Sequence, residues 1–173
     1  MSTRSAISIL KKDQTVQCIY CHFDGYLSHV GYTLFEHYSK VSKIKKLIKL
    51  GNISSLGNLL TEDINQPGVS FCNFYRDRSQ TIEENANTYN DLDSFLQVAR
   101  HDYHYDYLYL YNENEKSWYL FKNQKLVLLK DELMAVPEIA NKMNYSLISQ
   151  EKQLILKKIK TNNKKVSNNE FKL

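Results

Sequence analysis

Apolar positions near the start of the chain follow first a two-residue period and then a helical one. Ile7 and Ile9 alternate with serine, a polar turn follows, and a second β-rich run extends from Val16 to Phe23. Two such runs joined by a short polar turn are typical of a β-hairpin. We therefore predict a hairpin over residues 5–23.

Gly25 ends the second run, and helical spacing of apolar residues begins soon after it. Ser28 is suited to cap a helix over residues 29–39. A second helix is predicted over residues 41–50, because apolar side chains share one face there and lysines take most of the other positions. Gly51 is the expected C-terminal cap of that helix.

The rest of the chain predicts further strands and helices. They are a strand over 69–76, a short helix capped by Asp91 or Asp93, strands over 103–111, 118–122 and 126–129, and a helical region around Pro137. This order predicts an α+β fold with an antiparallel sheet of five or six strands and helices packed mainly on one face. We expect one domain over residues 1–145, then a basic amphipathic helix and a disordered tail over 146–173.

Composition is that of a globular protein. The 173 residues are 42% hydrophobic and 24% charged, and no apolar run reaches the roughly 18 residues of a membrane span. The N-terminal segment is too short and too polar for a secretion signal. Three cysteines, an odd number, fit a reducing cytoplasm better than a disulfide framework. We therefore expect a cytoplasmic protein without a membrane partner.

Charge is distributed unevenly, although the net charge is only +4. Residues 1–61 carry a net +5, residues 62–118 a net −7 and residues 119–173 a net +6. Phosphate binding needs basic groups gathered on one face, so the acidic middle disfavours a protein built around nucleic acid. The basic tail keeps nucleic acid open as a partner through Lys157, Lys158, Lys160, Lys164 and Lys165.

The segment from Cys21 to Gly31 concentrates reactive side chains at a predicted strand-to-helix junction, where loops often carry function. His22 and Asp24 are two residues apart, as in acid–base pairs, and His29 is a candidate ligand-binding residue. In the catalytic interpretation His22 is the acid–base group, which exchanges a proton with the substrate, and Asp24 orients its imidazole ring. We favour the alternative that His22 and Asp24 bond to each other and brace the turn.

Two arginines at the end of the third predicted strand are candidates for binding an anion. Arg76 and Arg78 flank a single aspartate, and guanidinium groups at this spacing can fork onto phosphate or carboxylate. The alternative is an ion pair with Asp24 or Asp77 that ties two strand ends together. Both interpretations place the arginines near the segment from Cys21 to Gly31 if the second and third predicted strands are neighbours in the sheet.

Alternating tyrosines in the fourth predicted strand predict an aromatic face, with Leu108 and Leu110 on the opposite face toward the helices. A tyrosine face is typical of protein-binding and of base-stacking surfaces. The alternative is cross-strand packing that stabilises the sheet. Nearby acidic residues disfavour phosphate, so we predict protein binding through Tyr103, Tyr105, Tyr107 and Tyr109.

The run from Cys18 to His22 matches the spacing of covalent haem attachment. In an extended strand, however, Cys18 and Cys21 point to opposite faces. Only Cys72 remains as a further thiolate ligand for zinc. We therefore expect no cofactor and no metal.

Several motifs, taken together, resemble those of a family of small proteins encoded by bacteriophages and prophages. The shared motifs are Ser2-Thr3-Arg4-Ser5, Cys21-His22-Phe23-Asp24-Gly25-Tyr26, Ser28-His29-Val30-Gly31, Leu50 to Gly57, and Tyr75-Arg76-Asp77-Arg78. The resemblance covers roughly residues 2–122, and family members usually have tryptophan where this chain has Phe23. It implies a viral protein in the host cytoplasm and supplies no reaction.

We therefore expect a small phage-encoded accessory protein that binds a host or defence protein and is not an enzyme. The alternative is a small enzyme or binder of a nucleotide-like or phosphate-like ligand. That alternative uses His22, Asp24, Arg76 and Arg78.

Overall fold

The computed structural model describes residues 2–60, 70–74, 86–101 and 105–170. The strands in these ranges are β1 (Ser5–Leu10), β2 (Val16–Cys21), β3 (Ile53–Ser55), β4 (Asn73–Phe74), β5 (Asn87–Tyr89), β6 (Tyr107–Asn112), β7 (Ser117–Lys122) and β8 (Lys125–Leu128). The helices are a π-helix (Leu27–Gly31), α1 (Tyr32–His37), α2 (Val41–Leu50), α3 (Leu92–His101), α4 (Leu129–Met134) and α5 (Pro137–Glu170).

The eight described strands form one open, mixed sheet. Its order is β4-β3-β2-β1-β6-β7-β8, and β5 pairs with β2 beside this path. Most neighbours are antiparallel, but β1 and β6 are parallel, as are β2 and β3. The predicted α+β class is confirmed. The prediction of an antiparallel sheet of five or six strands was wrong, because distant segments add strands and parallel pairs.

The predicted hairpin over residues 5–23 is confirmed and lies in the middle of the sheet. β1 pairs with β2 so that Ile7 lies opposite Ile19. On its other edge β1 pairs with β6, and there Ile7 lies opposite Tyr109. All six residues of β1 are buried, as expected of a strand that is covered on both faces.

One face of the sheet is covered by α3. The Asp91 carboxylate accepts the N–H of Ser94 at 2.7 Å, which confirms Asp91 as the helix cap. Phe95 and Leu96 of α3 pack in a cluster with Ala6, Leu10, Val16, Cys18, Leu108 and Leu110. The prediction that Leu108 and Leu110 face a helix is therefore confirmed.

The opposite face is covered by the chain between the hairpin and β3. The hydroxyl of Tyr109 donates a hydrogen bond to the carbonyl oxygen of Gly25 at 2.8 Å. The indole N–H of Trp118 donates to the carbonyl oxygen of Tyr38, also at 2.8 Å. α2 contacts β1 and β2 and buries Ile44, Leu47 and Ile48. Helices therefore cover both faces, which corrects the expectation that they lie mainly on one.

The chain divides into two compact units, residues 1–133 and residues 134–173. In the second unit, Pro137 is the first residue of α5, the helical position where proline is most favoured. α5 continues to Glu170, so the helix takes up most of the range 146–173, for which the sequence predicts a basic helix followed by a disordered tail. Within the described ranges, no helix is both long enough and apolar enough to cross a membrane.

Candidate functional site

The candidate site is the turn that joins β2 to the π-helix, residues 22–26, here called the junction turn. Its first part runs beside β3. The backbone N–H of His22 donates to the carbonyl oxygen of Ile53 at 3.1 Å. The backbone N–H of Phe23 donates to the carbonyl oxygen of Ser54 at 2.8 Å. These two bonds fix the backbone as it leaves the sheet.

The second part of the junction turn lies against the N-terminal segment. The N–H of Gly25 donates to the carbonyl oxygen of Thr3 at 2.9 Å. A Cβ atom at Gly25 would lie only 2.9 Å from the carbonyl carbon of Arg4 and from the Cβ of Ser5. Asp24 has a φ of 57°, a left-handed conformation that aspartate adopts more readily than most residues. The close approach therefore explains the glycine at position 25.

A π-helix follows the junction turn, where the sequence predicts an α-helix capped by Ser28. The N–H of Gly31 donates to the carbonyl oxygen of Tyr26 at 3.3 Å, which is the five-residue spacing of a π-helix. Ser28 lies inside this helix, and the residue that precedes the helix is Tyr26. The chain becomes α-helical only at Tyr32. Single π turns occur often at functional sites.

Tyr109 supports the junction turn from the sheet. Its side chain is fully buried, and its hydroxyl donates to Gly25. Burial raises the pKa of Tyr109 above its ordinary value, so the phenol remains a protonated donor at neutral pH. Tyr109 was predicted to contact a partner; in the structure it is a buried support, because the segment from Gly25 to Leu50 covers this face.

The other predicted tyrosines have different surroundings. Tyr107 is half-buried, with its ring stacked on that of Tyr109 at 6.1 Å between centroids. Tyr105 is half-buried and packs against the cluster beneath α3. Tyr103 lies outside the described residues. Tyr105, Tyr107 and Tyr109 therefore do not form one exposed face.

His22 and Asp24 do not bond to each other. Nδ1 of His22 lies 2.7 Å from the hydroxyl of Tyr20. The Asp24 carboxylate forms no hydrogen bond or ion pair with any residue that the structure describes. The favoured alternative, in which His22 and Asp24 brace the turn together, is therefore corrected: backbone bonds and Tyr109 brace it. An acid–base role for the pair stays a prediction.

His29 carries an unsatisfied nitrogen. Its side chain is half-buried, and Nδ1 is buried without a hydrogen-bond partner in the described part of the chain. The ring meets that of Tyr26 edge-on, at 6.2 Å between centroids. Buried polar atoms in native proteins are nearly always paired, so an unpaired one calls for a water or a ligand. His29 is therefore the residue of the predicted site with the clearest unmet bonding capacity.

Arg76 and Arg78, the predicted anion-binding pair, lie outside the described residues. Among the residues that are described, no group of three or more His, Cys, Asp or Glu side chains is arranged to hold a metal ion. Cys18, Cys21 and Cys72 are buried free thiols. Burial raises the pKa of Cys21 to about 12, so this thiol at the junction stays protonated at neutral pH.

The most exposed side chains of the junction turn are two aromatic rings that the sequence analysis did not single out. Phe23 is 42% exposed and Tyr26 is 38% exposed. The Phe23 ring packs edge-on against the His22 ring, with 4.3 Å between their centroids. The His22 ring in turn packs edge-on against the Tyr20 ring, with 5.8 Å between their centroids. The available signal was an aromatic residue on each side of an Asp-Gly pair at a strand end.

Comparison of the chain with protein-family models, with curated proteins and with solved structures gives no match. The resemblance to a phage-encoded family therefore stays a prediction.

Proposed function

We propose that the protein is a non-catalytic binding protein that contacts a protein partner through the junction turn. The observation that carries this proposal is the exposure of Phe23 and Tyr26 on either side of Asp24. Aromatic side chains are enriched among the residues that dominate protein–protein binding energy. Two exposed rings only three positions apart form a compact contact point for a partner.

The fixed backbone of the junction turn supports the same conclusion. His22 and Phe23 donate to β3, Gly25 donates to Thr3, and Gly25 accepts from Tyr109. A surface that is already ordered before binding loses less conformational entropy when the complex forms. The turn therefore presents its rings in one arrangement, as a recognition surface requires.

Asp24 adds a charge requirement for the partner. Its carboxylate has no hydrogen bond or ion pair with the described residues and lies between the two exposed rings in sequence. Burying an unpaired carboxylate in an interface is costly unless the partner supplies a cation. The proposed partner surface therefore combines an apolar contact area with an arginine or lysine.

The family resemblance supports a host or defence protein as this partner, with binding in the host cytoplasm. The junction turn makes up residues 22–26 of the motif Cys21 to Tyr26, which is part of that resemblance. A phage accessory protein of this kind acts by occupying a host surface, so it needs an ordered epitope and no catalytic set. The exposed turn meets the first of these requirements.

A tagged pull-down with matched variants tests the proposal. Wild-type protein should capture a stoichiometric partner from infected cells, and Phe23→Ser and Tyr26→Ser should each reduce capture at least tenfold, as expected of hot-spot residues. Asp24→Asn removes the charge while keeping a residue that tolerates the left-handed conformation. It should reduce capture less and make it less sensitive to salt.

Tyr145→Ser is the control, because Tyr145 is a 76% exposed aromatic outside the junction turn. Capture should be unchanged in this variant. Equal capture by all the variants, or no stoichiometric partner for the wild type, contradicts the proposal. Circular dichroism of each variant shows whether the fold is retained.

A second candidate function, favoured by the unpaired Nδ1 of His29, is binding of a small phosphate-like ligand. In this alternative His29 donates to the ligand, and Arg76 and Arg78 neutralise its charge. His22 and Asp24 then provide proton transfer if the protein is an enzyme. Nδ1 of His22 is within hydrogen-bond distance of the Tyr20 hydroxyl and not of Asp24, which gives the proposed acid–base pair no direct contact.

Thermal unfolding with inorganic phosphate and with a nucleoside monophosphate tests this alternative, because a ligand that binds only the folded state raises the Tm. The expected result is a saturable increase that His29→Gln and Arg76→Gln both abolish. An increase that survives in both variants, or no increase at all, contradicts it. Nucleic-acid binding by the lysine-rich tail stays a separate prediction. RNA and DNA binding that is absent, or that does not depend on salt concentration, would contradict it.

A further inference from the structure

A pocket of about 240 Å³ lies between the end of α1, the β6–β7 hairpin and the β8–α4 connection. It shares no lining residue with the junction turn. Three aromatic rings, one leucine and two lysines line most of it: Phe35, Tyr111, Trp118, Leu128, Lys116 and Lys130. An apolar wall with a few polar groups is the usual composition of a small-molecule site.

Tyr111 lines this pocket and carries an unused hydrogen-bond donor. The residue is 1% exposed, and its hydroxyl has no hydrogen-bond partner among the described residues. The nearby indole of Trp118 is in a different situation, because its N–H already donates to the carbonyl oxygen of Tyr38. A buried hydroxyl without a partner is costly and calls for a water or a ligand.

The two lysines give the pocket a positive charge. Lys116 and Lys130 form no ion pair with any residue in the described part of the chain. Glu113 lies two positions after Tyr111 in the chain, and its negative charge adds to burial in raising the pKa of the Tyr111 phenol. Its carboxylate accepts a hydrogen bond from the Lys45 ammonium at 2.6 Å, so its charge is already compensated. The pocket therefore favours an anion over a cation.

Size restricts the ligand further. A cavity of about 150 Å³ is enough to hold benzene, whereas sites for drug-sized molecules begin near roughly 300 Å³. A volume of about 240 Å³ thus fits a single ring with one small substituent. We propose that this pocket binds a small aromatic carboxylate, whose ring packs among Phe35, Trp118 and Leu128 and whose carboxylate interacts with Tyr111, Lys116 and Lys130.

Trp118 provides a direct measurement, because it is the only tryptophan of the chain. Titration of the full chain with benzoate should change the Trp118 fluorescence saturably, with a Kd of about 1 mM or lower. Benzamide has the same shape without the charge, and it should bind at least tenfold more weakly. Inorganic phosphate has the charge without the ring, and it should not compete with benzoate.

Two variants identify the polar contacts. Tyr111→Phe should weaken benzoate binding by about tenfold, which is the usual effect of losing a hydrogen bond to a charged group. The double variant Lys116→Gln/Lys130→Gln should weaken it by roughly fivefold and reduce its salt dependence. Lys46→Gln is the charge control and should bind as the wild type does, because Lys46 does not line the pocket.

Three results would overturn the proposal. They are the absence of saturation up to about 10 mM benzoate, equal binding of benzoate and benzamide, and wild-type affinity in both pocket variants. Because both lysines are exposed, their variant tests the charge without disturbing the core. Titration calorimetry repeats each comparison without relying on fluorescence.

Discussion

The hydroxyl of Tyr109 in the central sheet donates a 2.8 Å hydrogen bond to the carbonyl oxygen of Gly25 in the junction turn, 84 residues earlier in the chain. This bond joins two features that appear unrelated in the sequence, a tyrosine-rich strand and a glycine turn. It also explains why the turn keeps one shape: its backbone carbonyl is satisfied by a side chain that packing holds in place.

Removal of this hydroxyl should destabilise the protein. Tyr109→Phe leaves the carbonyl oxygen of Gly25 buried without its donor, so we expect the free energy of unfolding to fall by about 1–3 kcal/mol. Tyr111→Phe is the matched control on the same strand face, because the Tyr111 hydroxyl has no partner among the described residues. Its free energy of unfolding should not fall, because no hydrogen bond is lost and a costly unpaired hydroxyl is removed. Urea denaturation measures both, and equal losses would contradict the role assigned to Tyr109.

The loss of stability caused by a glycine-to-alanine substitution should depend on which atoms lie next to the added methyl group. At Gly57 a Cβ would lie 2.3 Å from the backbone carbonyl carbon of Phe71, whereas at Gly31 it would lie 3.2 Å from the Tyr109 hydroxyl. Backbone atoms cannot move aside as easily as a side chain can. Gly57→Ala should therefore lower the free energy of unfolding by about 3 kcal/mol, and Gly25→Ala by about 2 kcal/mol. Gly31→Ala should have the smallest effect, and a reversed order in urea denaturation would contradict this explanation.

Local patterns in the sequence predicted the local elements well. The hairpin over residues 5–23 and the helix over 41–50 were predicted because period, turn residues and the Gly51 cap all lie within one short segment. Asp91 was predicted, with Asp93 as the alternative, to cap a helix for the same reason, and the structure shows Asp91 as the cap. Each of these features depends on side chains a few residues apart, which a single sequence displays directly.

Long-range pairing could not be predicted in the same way. β1 pairs in parallel with β6, about a hundred residues later, and nothing near Ser5 or Tyr107 in the sequence specifies that partner. The same limit explains the error at Tyr109. Alternating tyrosine and leucine shows that a strand has two faces, but tyrosine suits either a buried or an exposed face. Only the covering segment from Gly25 to Leu50 decides which one it is.

The candidate site was located by sequence but its contacts were not. The concentration of polar residues between Cys21 and Gly31 indicated the junction turn correctly as a structured strand-to-helix connection. Nδ1 of His22 contacts the hydroxyl of Tyr20, on the strand before the turn, and His22 does not bond to Asp24. The direction in which a side chain leaves a turn depends on backbone angles such as the positive φ of Asp24, and the residue types do not fix these angles.

The ion pair between Lys45 and Glu113 should make stability depend on pH. The hydrogen bond from Lys45 is the largest cause that lowers the pKa of Glu113 in the folded protein. Because the pKa of Glu113 is lower in the folded protein than in the unfolded chain, the ionised carboxylate stabilises the fold at any pH above the unfolded pKa of about 4.3. This stabilisation is lost as the pH falls through the lower pKa of the folded protein. Lys45→Gln should therefore reduce the free energy of unfolding by about 1 kcal/mol or less at neutral pH, because Lys45 is half exposed.

The difference between Lys45→Gln and wild type should shrink as the pH is lowered below about 4. Lys46→Gln is the matched control, because Lys46 is an exposed neighbour on the same helix without an ion pair to a described residue. Urea denaturation at several pH values measures the difference. A constant difference across this range would show that Lys45 acts through packing and not through Glu113.

The Cys21 thiol should be protected from alkylation in the folded protein. Burial raises its pKa to about 12, so the thiol is almost entirely protonated at pH 8. Cys21 also lies at the end of β2, where it is fully buried, so a reagent reaches it only when the strand opens. Iodoacetamide labelling followed by peptide mass spectrometry should therefore show little modification in buffer and rapid modification in urea. Rapid labelling of Cys21 in buffer, at the rate of a free cysteine, would show that the junction opens readily and would contradict the fixed turn on which the proposed binding surface depends.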